Sequence, residues 1–226
     1  CTLEITDAET FARDWTVIDV NSNVSANTWA YNDGNAMYTQ DKSNAADDWL
    51  IAPAVTLEAG KAYKVSAYVK HSSTFGSDKQ KIELKIGTAP TVEGLTTRLV
   101  YDESFQSRLF VEKSGTFSPA ESGVFYVGLR CYSGSYMGDL YFQKIVIEEA
   151  PVYPIQITDL SIVAGERGAM SATLSWTWPS SDHLGGALSN LLGAKIYRGT
   201  DLVATLDTAT VGGKAGWIDS SIETAG

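Results

Sequence analysis

Cysteine is almost missing from this chain of 226 residues, which has only Cys1 and Cys131. Two cysteines so far apart make neither a disulfide framework nor the paired spacing of a structural zinc site. Cys1 admits three readings: a trimmed fragment end, a lipidated N-terminus, or one half of a single bridge to Cys131. Histidine is equally scarce, and neither His71 nor His183 is spaced with another ligand or a nucleophile. Both read as surface histidines rather than catalytic bases. No apolar run reaches the roughly 20 residues that span a bilayer, and no signal peptide is visible. Direct membrane insertion is therefore not expected. Gly-x-Ser-x-Gly, a Walker A loop and a strand-led dinucleotide fingerprint are all absent, so the chain reads as non-catalytic.

Basic residues are also few, 17 against 27 acids, for a net charge of −10. A field of that sign repels phosphate backbones, which excludes nucleic acid as a partner. Ten of the acids fall within the first sixty residues, opposed only by Arg13 and Lys42. The plain reading is a solvated acidic face; the sharper one is carboxylates gathered around calcium, which takes several oxygen ligands. Asp47-Asp48 fails as a hydrolytic pair, because neighbours on an extended segment point to opposite faces.

What is present speaks for strands. Hydrophobic residues make up 44% and aromatics 11% of the chain, which places it among globular proteins. Helical periodicity is nearly absent and period-two alternation recurs, so the fold class is all-β. Tyr63, Val65, Ala67 and Val69 alternate with Lys64, Ser66, Tyr68 and Lys70. Ile82, Leu84 and Ile86 alternate with Lys81, Glu83 and Lys85, and Phe125, Val127, Leu129 and Cys131 with Tyr126, Gly128 and Arg130. A further strand is expected over 140–147. Ala150-Pro151-Val152-Tyr153-Pro154 disfavours both helix and central strand, which places a domain boundary between 1–150 and 151–226. Beyond it, strands are expected at 157–163, 172–178, 194–198 and 202–206, with a last element opening at Trp217.

Asp14-Trp15-Thr16-Val17-Ile18-Asp19, followed by Asp47-Asp48-Trp49-Leu50-Ile51-Ala52-Pro53 and the turn Leu57-Glu58-Ala59-Gly60, resembles the cleaved adhesin family of gingipain-type surface proteins. That resemblance covers nearly all of residues 1–150. It implies a jelly-roll-like β-sandwich on a secreted or surface-attached bacterial protein that binds host proteins or glycans, with structural calcium in some members. The ion would then be sought among Asp19, Asn21, Asn23, Asp47, Asp48 and Asp139. Val20 and Val24 interrupt the loop, however, and Gln143-Lys144 stands where the family carries acids; a lysine beside a cation is electrostatically costly.

Trp176, Lys195-Ile196-Tyr197-Arg198-Gly199 and Trp217-Ile218-Asp219 resemble a fibronectin type III module. The sixth and seventh strands of such a module are missing, so an incomplete sandwich with open edges is expected. Candidate ligand contacts are the aromatics near polar loops, Trp29, Tyr31, Tyr38, Tyr132 and Tyr136, which suit sugar stacking or protein anchoring. Their plain alternative is capping the sandwich. Trp15 and Trp49 read as core. The functional expectation is a recognition or adhesion module binding host or matrix protein or glycan, the alternative being an accessory carbohydrate-binding module of a secreted hydrolase or peptidase. The second domain is expected to act as a spacer, and the oligomeric state is left open.

Overall fold

A computed structural model describes residues 1–21, 27–73, 75–183 and 185–222. It divides into two units, Cys1–Ala150 and Pro151–Gly226. The first opens with β1 (Thr2–Glu4) and a short helix α1 (Ala8–Asp14) that the alternation gives no hint of. Asp7 caps it by accepting from the Thr10 amide at 2.7 Å, and Phe11 is its buried residue. After β2 (Thr16–Asp19) comes a hairpin of β3 (Trp29–Asn32) and β4 (Asn35–Tyr38). Asp33 and Gly34 form its turn, both with positive φ (45° and 75°), as a two-residue loop matched to strand twist requires. Then follow β5 (Asp48–Ile51), β6 (Val55–Leu57), β7 (Ala62–His71), β8 (Gln80–Gly87), β9 (Thr97–Phe105), β10 (Val111–Phe117), β11 (Gly123–Cys131) and β12 (Leu140–Ala150).

These strands make two antiparallel sheets. The first has the order β10-β7-β12-β4-β3, with β1 also on β12; the second runs β2-β5-β11-β8-β9, with β6 also on β11. Their facing sides form one core in a jelly-roll-like β-sandwich. Val65, Ala67, Val69, Phe142, Ile145 and Ile147 come from the first sheet, and Leu50, Ile82, Leu84, Ile86, Val127 and Leu129 from the second. The three alternating segments read from the sequence point as expected. Cys131 lies fully buried on the apolar side, where burial pushes its thiol up to about 12. Cys1 is exposed and both cysteines are free, so no bridge joins them.

His71 corrects the surface assignment. It ends β7 facing inward, 1% exposed, with Nε2 against the Met137 carbonyl at 2.5 Å. Its ring lies against Met137 and Gly138, in the loop before β12 and far along the chain, which local polarity cannot reveal. His183 stacks on Tyr153 with ring centroids 3.7 Å apart.

The second unit has a three-stranded sheet, β13 (Ser161–Ala164), β14 (Ala172–Thr177) and β17 (Lys214–Asp219), ordered β13-β14-β17. Its other sheet is the hairpin β15 (Ala194–Arg198) and β16 (Asp201–Leu206), turned at Gly199 with φ 62°. Trp176 and Trp178 are buried edge to face at 5.4 Å. Residues of both sheets, including Ile162, Leu174, Ile196, Val203 and Trp217, line an apolar cavity of about 230 Å³. Ile162 remains 63% exposed at its rim.

Candidate functional site

The second sheet of the sandwich turns a chemically distinct side away from the core. Register places one residue from each of its five main strands in a row: Ile18 beside Trp49, Trp49 beside Arg130, Arg130 beside Glu83, and Glu83 beside Tyr101. A second row sets Ile51, Gly128, Lys85 and Arg98 side by side. Tyr132 follows Arg130 by two positions and so leaves on the same side. Its ring stacks on Tyr101, with centroids 6.0 Å apart and planes 23° apart. Tyr101 is 51% exposed.

This face has an apolar half and a charged half. Trp49 and Ile51 are capped by Leu95, with Ile18, Val92 and Tyr126 packed around them. Trp49 is therefore buried as expected, but in a small outer cluster instead of the sandwich core. The cap depends on Gly128, since a Cβ there would meet Leu95 Cδ1 at 2.4 Å and the Trp49 ring at 3.1 Å. Thr88 and Gly94 tie the ends of the capping loop together by a 3.2 Å backbone bond.

In the charged half, Glu83 points outward yet is only 2% exposed. A carboxylate taken from water needs compensation, and three cations converge on it. Arg98 Nε donates to its Oε1 at 2.6 Å, Arg130 Nη1 to Oε2 at 3.4 Å, and Lys85 Nζ stands 3.7 Å away. Arg130 also grips Asp47 with two bonds, Nε to Oδ1 at 2.7 Å and Nη2 to Oδ2 at 2.9 Å. Asp47 is the main reason the guanidinium's pKa is raised. The same cations lie over the aromatics: Arg98 over Tyr101 at 4.6 Å, and Arg130 over Tyr132 at 5.0 Å. Burial, with the Tyr101 phenol beside it, pushes the Tyr132 hydroxyl upward.

Beneath Tyr132 a buried polar network fixes the chain. The Ser133 hydroxyl donates to Gln80 Oε1 and accepts from the Lys81 amide at 2.8 Å. Gln80 Nε2 donates in turn to the Gly138 carbonyl at 2.6 Å. The loop after β11 is thus tied to β8 on the inner side, while Tyr132 projects on the outer one.

The aromatics anticipated as ligand contacts separate. Tyr132 belongs to the face just described. Trp29 does not: it is 2% exposed in the core, edge to face with Tyr38 at 6.1 Å, and its Nε1 donates to the Asp48 carbonyl at 3.2 Å. The turn at Asp33-Gly34 fixes the hairpin register, and that register points Trp29 and the buried Tyr38 inward together. Tyr31 is half-buried and packs against the same core. Tyr136 is 60% exposed in a left-handed conformation (φ 62°), its amide donating to the Asp41 carbonyl at 2.8 Å. It does not join the stacked pair.

The anticipated cation ligands separate as well. Asp47 and Asp48 point to opposite faces, as neighbours on a strand must. Both oxygens of Asp47 are engaged by Arg130 on the outer side. Asp48 is fully buried beside Asp19 on the inner side. Its Oδ2 accepts from the Asp47 amide at 3.1 Å and its Oδ1 has no hydrogen-bond partner. Burial first, opposed by the nearby Thr28 hydroxyl and aided by the Asp19 charge, pushes Asp48 up to about 6. Asp139 accepts from the Gln40 amide at 3.0 Å, and Asn21 donates to the Ala45 carbonyl at 2.6 Å. Asn23 lies outside the described residues. Lys144 faces Glu4 at 3.5 Å. Among the described residues no three of His, Cys, Asp and Glu gather as a metal cage.

Arg98, Tyr101, Glu83 and Arg130 were not singled out by sequence reasoning. Glu83 and Arg130 were legible as outward positions of opposite charge. Their meeting depends on which strands pair.

No family model matches the sequence, and no curated protein does. Solved structures do. The chain is similar to the K3 cleaved adhesin domain of Lys-gingipain from Porphyromonas gingivalis W83, at 11% identity over 66% of this chain and 97% of that one, with a TM-score of 0.49. The K1 cleaved adhesin domain of the same protein is similar at 14% identity, over 67% and 99%, with a TM-score of 0.46. A family 4 carbohydrate-binding module is similar at 15% identity, over 66% and 95%, with a TM-score of 0.45.

Proposed function

We propose that the first unit is a non-catalytic recognition module that binds a glycan across the outer face of its second sheet. The observation that carries this reading is the half-exposed Tyr101, stacked on Tyr132 and set in a row whose polar members are already locked by ion pairs. An aromatic plane flanked by fixed polar groups suits a sugar ring, whose faces are apolar and whose edge is hydroxylated. Locked side chains lose little freedom on binding. Adhesion to a host glycan and service as an accessory module of a secreted hydrolase or peptidase share this ligand class; they differ in what the module is attached to. The second unit is read as a fibronectin type III-like spacer, and the whole as part of a secreted or surface-anchored bacterial protein. Among the described residues no helix is long and apolar enough to cross a membrane.

Glycan-array screening followed by calorimetry tests the reading. Tyr101→Ala is expected to weaken binding about tenfold, the order of one aromatic contact. The rival ligand is a host or matrix protein, which an exposed aromatic beside an arginine would also anchor. Pull-down of extracellular matrix proteins that depends on Tyr101, with no saturable sugar binding, would favour that rival.

A further inference from the structure

The carboxylates beside Arg98 and Arg130 are spent while the donors of Arg98 are not. Glu83 and Asp47 have both oxygens of each carboxylate occupied by Arg98 and Arg130. Neutral sugars offer hydroxyl groups that both donate and accept, and a free carboxylate is a strong acceptor for them. Here the two carboxylates of the row are closed. Arg98 uses only Nε, and among the described residues neither of its Nη nitrogens has a partner. Its side chain is 56% exposed, directly over Tyr101. Lys85 approaches Glu83 only at 3.7 Å. Counted together, Lys81, Lys85, Arg98 and Arg130 balance Asp47, Glu83, Glu103 and the capping loop's Glu93, on a chain whose net charge is −10. The face is thus locally neutral and donor-rich in an otherwise acidic molecule.

We propose, resting on the glycan reading above, that the ligand carries carboxylate groups: an acidic glycan whose ring lies on Tyr101 and whose carboxylate is taken by the two free nitrogens of Arg98. A guanidinium presents two parallel N–H donors to a carboxylate, a fit that an uncharged hydroxymethyl group cannot reproduce. Lys85 supplies further positive potential without a fixed direction. The exposed aromatic and the unspent fork stand 4.6 Å apart, close enough for one sugar residue to meet both.

Matched pairs of probes differing only in charge test this on the full chain. Polygalacturonate is compared with its methyl ester, and 3′-sialyllactose with its methyl ester, with heparin as a sulfated control. At least one acidic probe is expected to bind tenfold or more tighter than its neutral partner. That preference should shrink as salt is raised from about 50 to 500 mM, because screening shortens the reach of the charges. Arg98→Gln should abolish the preference while leaving the circular dichroism spectrum unchanged. Lys144→Gln, on the opposite sheet, should leave it intact. Equal binding of neutral and acidic partners overturns the carboxylate inference and leaves the glycan reading standing. Binding of heparin alone also overturns it, by moving recognition to sulfate. No binding to any probe, nor to any member of the array, overturns both.

Discussion

Asp48 is a buried carboxyl with one oxygen unpaired, and the sign of its contribution can be measured. Its folded pKa of about 6 lies above the ordinary 3.8, so the folded chain keeps a proton that the unfolded chain has lost. Stability from this group is fully present below about pH 3.8 and is lost as the pH rises through 6. The loss above that range is on the order of 3 kcal/mol. Asp48→Asn is therefore expected to raise stability at pH 7 by roughly 1–3 kcal/mol and to flatten the profile between pH 4 and 6, as read by urea unfolding. A calcium ion held by Asp48 and Asp19 would reverse the result, with the variant losing stability in calcium and the native chain gaining it. Two aromatic substitutions separate core from surface in the same way. Trp29→Ala should cost about 3–5 kcal/mol, whereas Tyr136→Ala should change stability by less than about 0.5 kcal/mol. Thermal melts of both variants decide whether Trp29 is packing or contact surface.

At the scale of the strand, Gly128 controls how the apolar half of the outer face is closed. Gly128→Val should displace Leu95 and unseat the loop over Trp49, destabilising by about 1–3 kcal/mol with a red shift of tryptophan fluorescence. The central strands β7, β8 and β11 were legible because pleating alone decides which side each residue faces, and their alternation is unbroken. The edge strand β9 was not. Two register shifts interrupt its pairing with β8, and the one at Leu84/Lys85 lets Arg98 and Tyr101 reach one face although they are three positions apart. The same limit hid the site. Glu83 reads as an ordinary solvated acid until β9 and β11 bring Arg98 and Arg130 beside it. Trp29 misled for a related reason: a tryptophan between polar residues looks like a loop aromatic, and only the Asp33-Gly34 turn sets it inward. In the second unit the strands at 172–177 and 194–206 emerged close to their expected bounds, but β13 is confined to Ser161–Ala164.

Across the whole molecule, each unit has its own buried tryptophans, Trp15, Trp29 and Trp49 in the first and Trp176 and Trp178 in the second. Two calorimetric transitions are expected, with Trp176→Ala lowering one of them and leaving the other within a degree or so. A single transition shifted as one would refute that independence. The row from Ile18 to Tyr101 crosses five strands. Neighbouring strands lie about 4.8 Å apart, so five of them in register mark out a span of roughly 19 Å across the sheet. A row of that extent is a ruler. Its far half is closed, because Trp49 lies buried under Leu95 with Ile18 packed beside it. Only the stretch from Tyr101 to Arg130, two strand spacings or about 10 Å, is left for a ligand, so affinity should climb with ligand length only up to about two sugar residues and then level off.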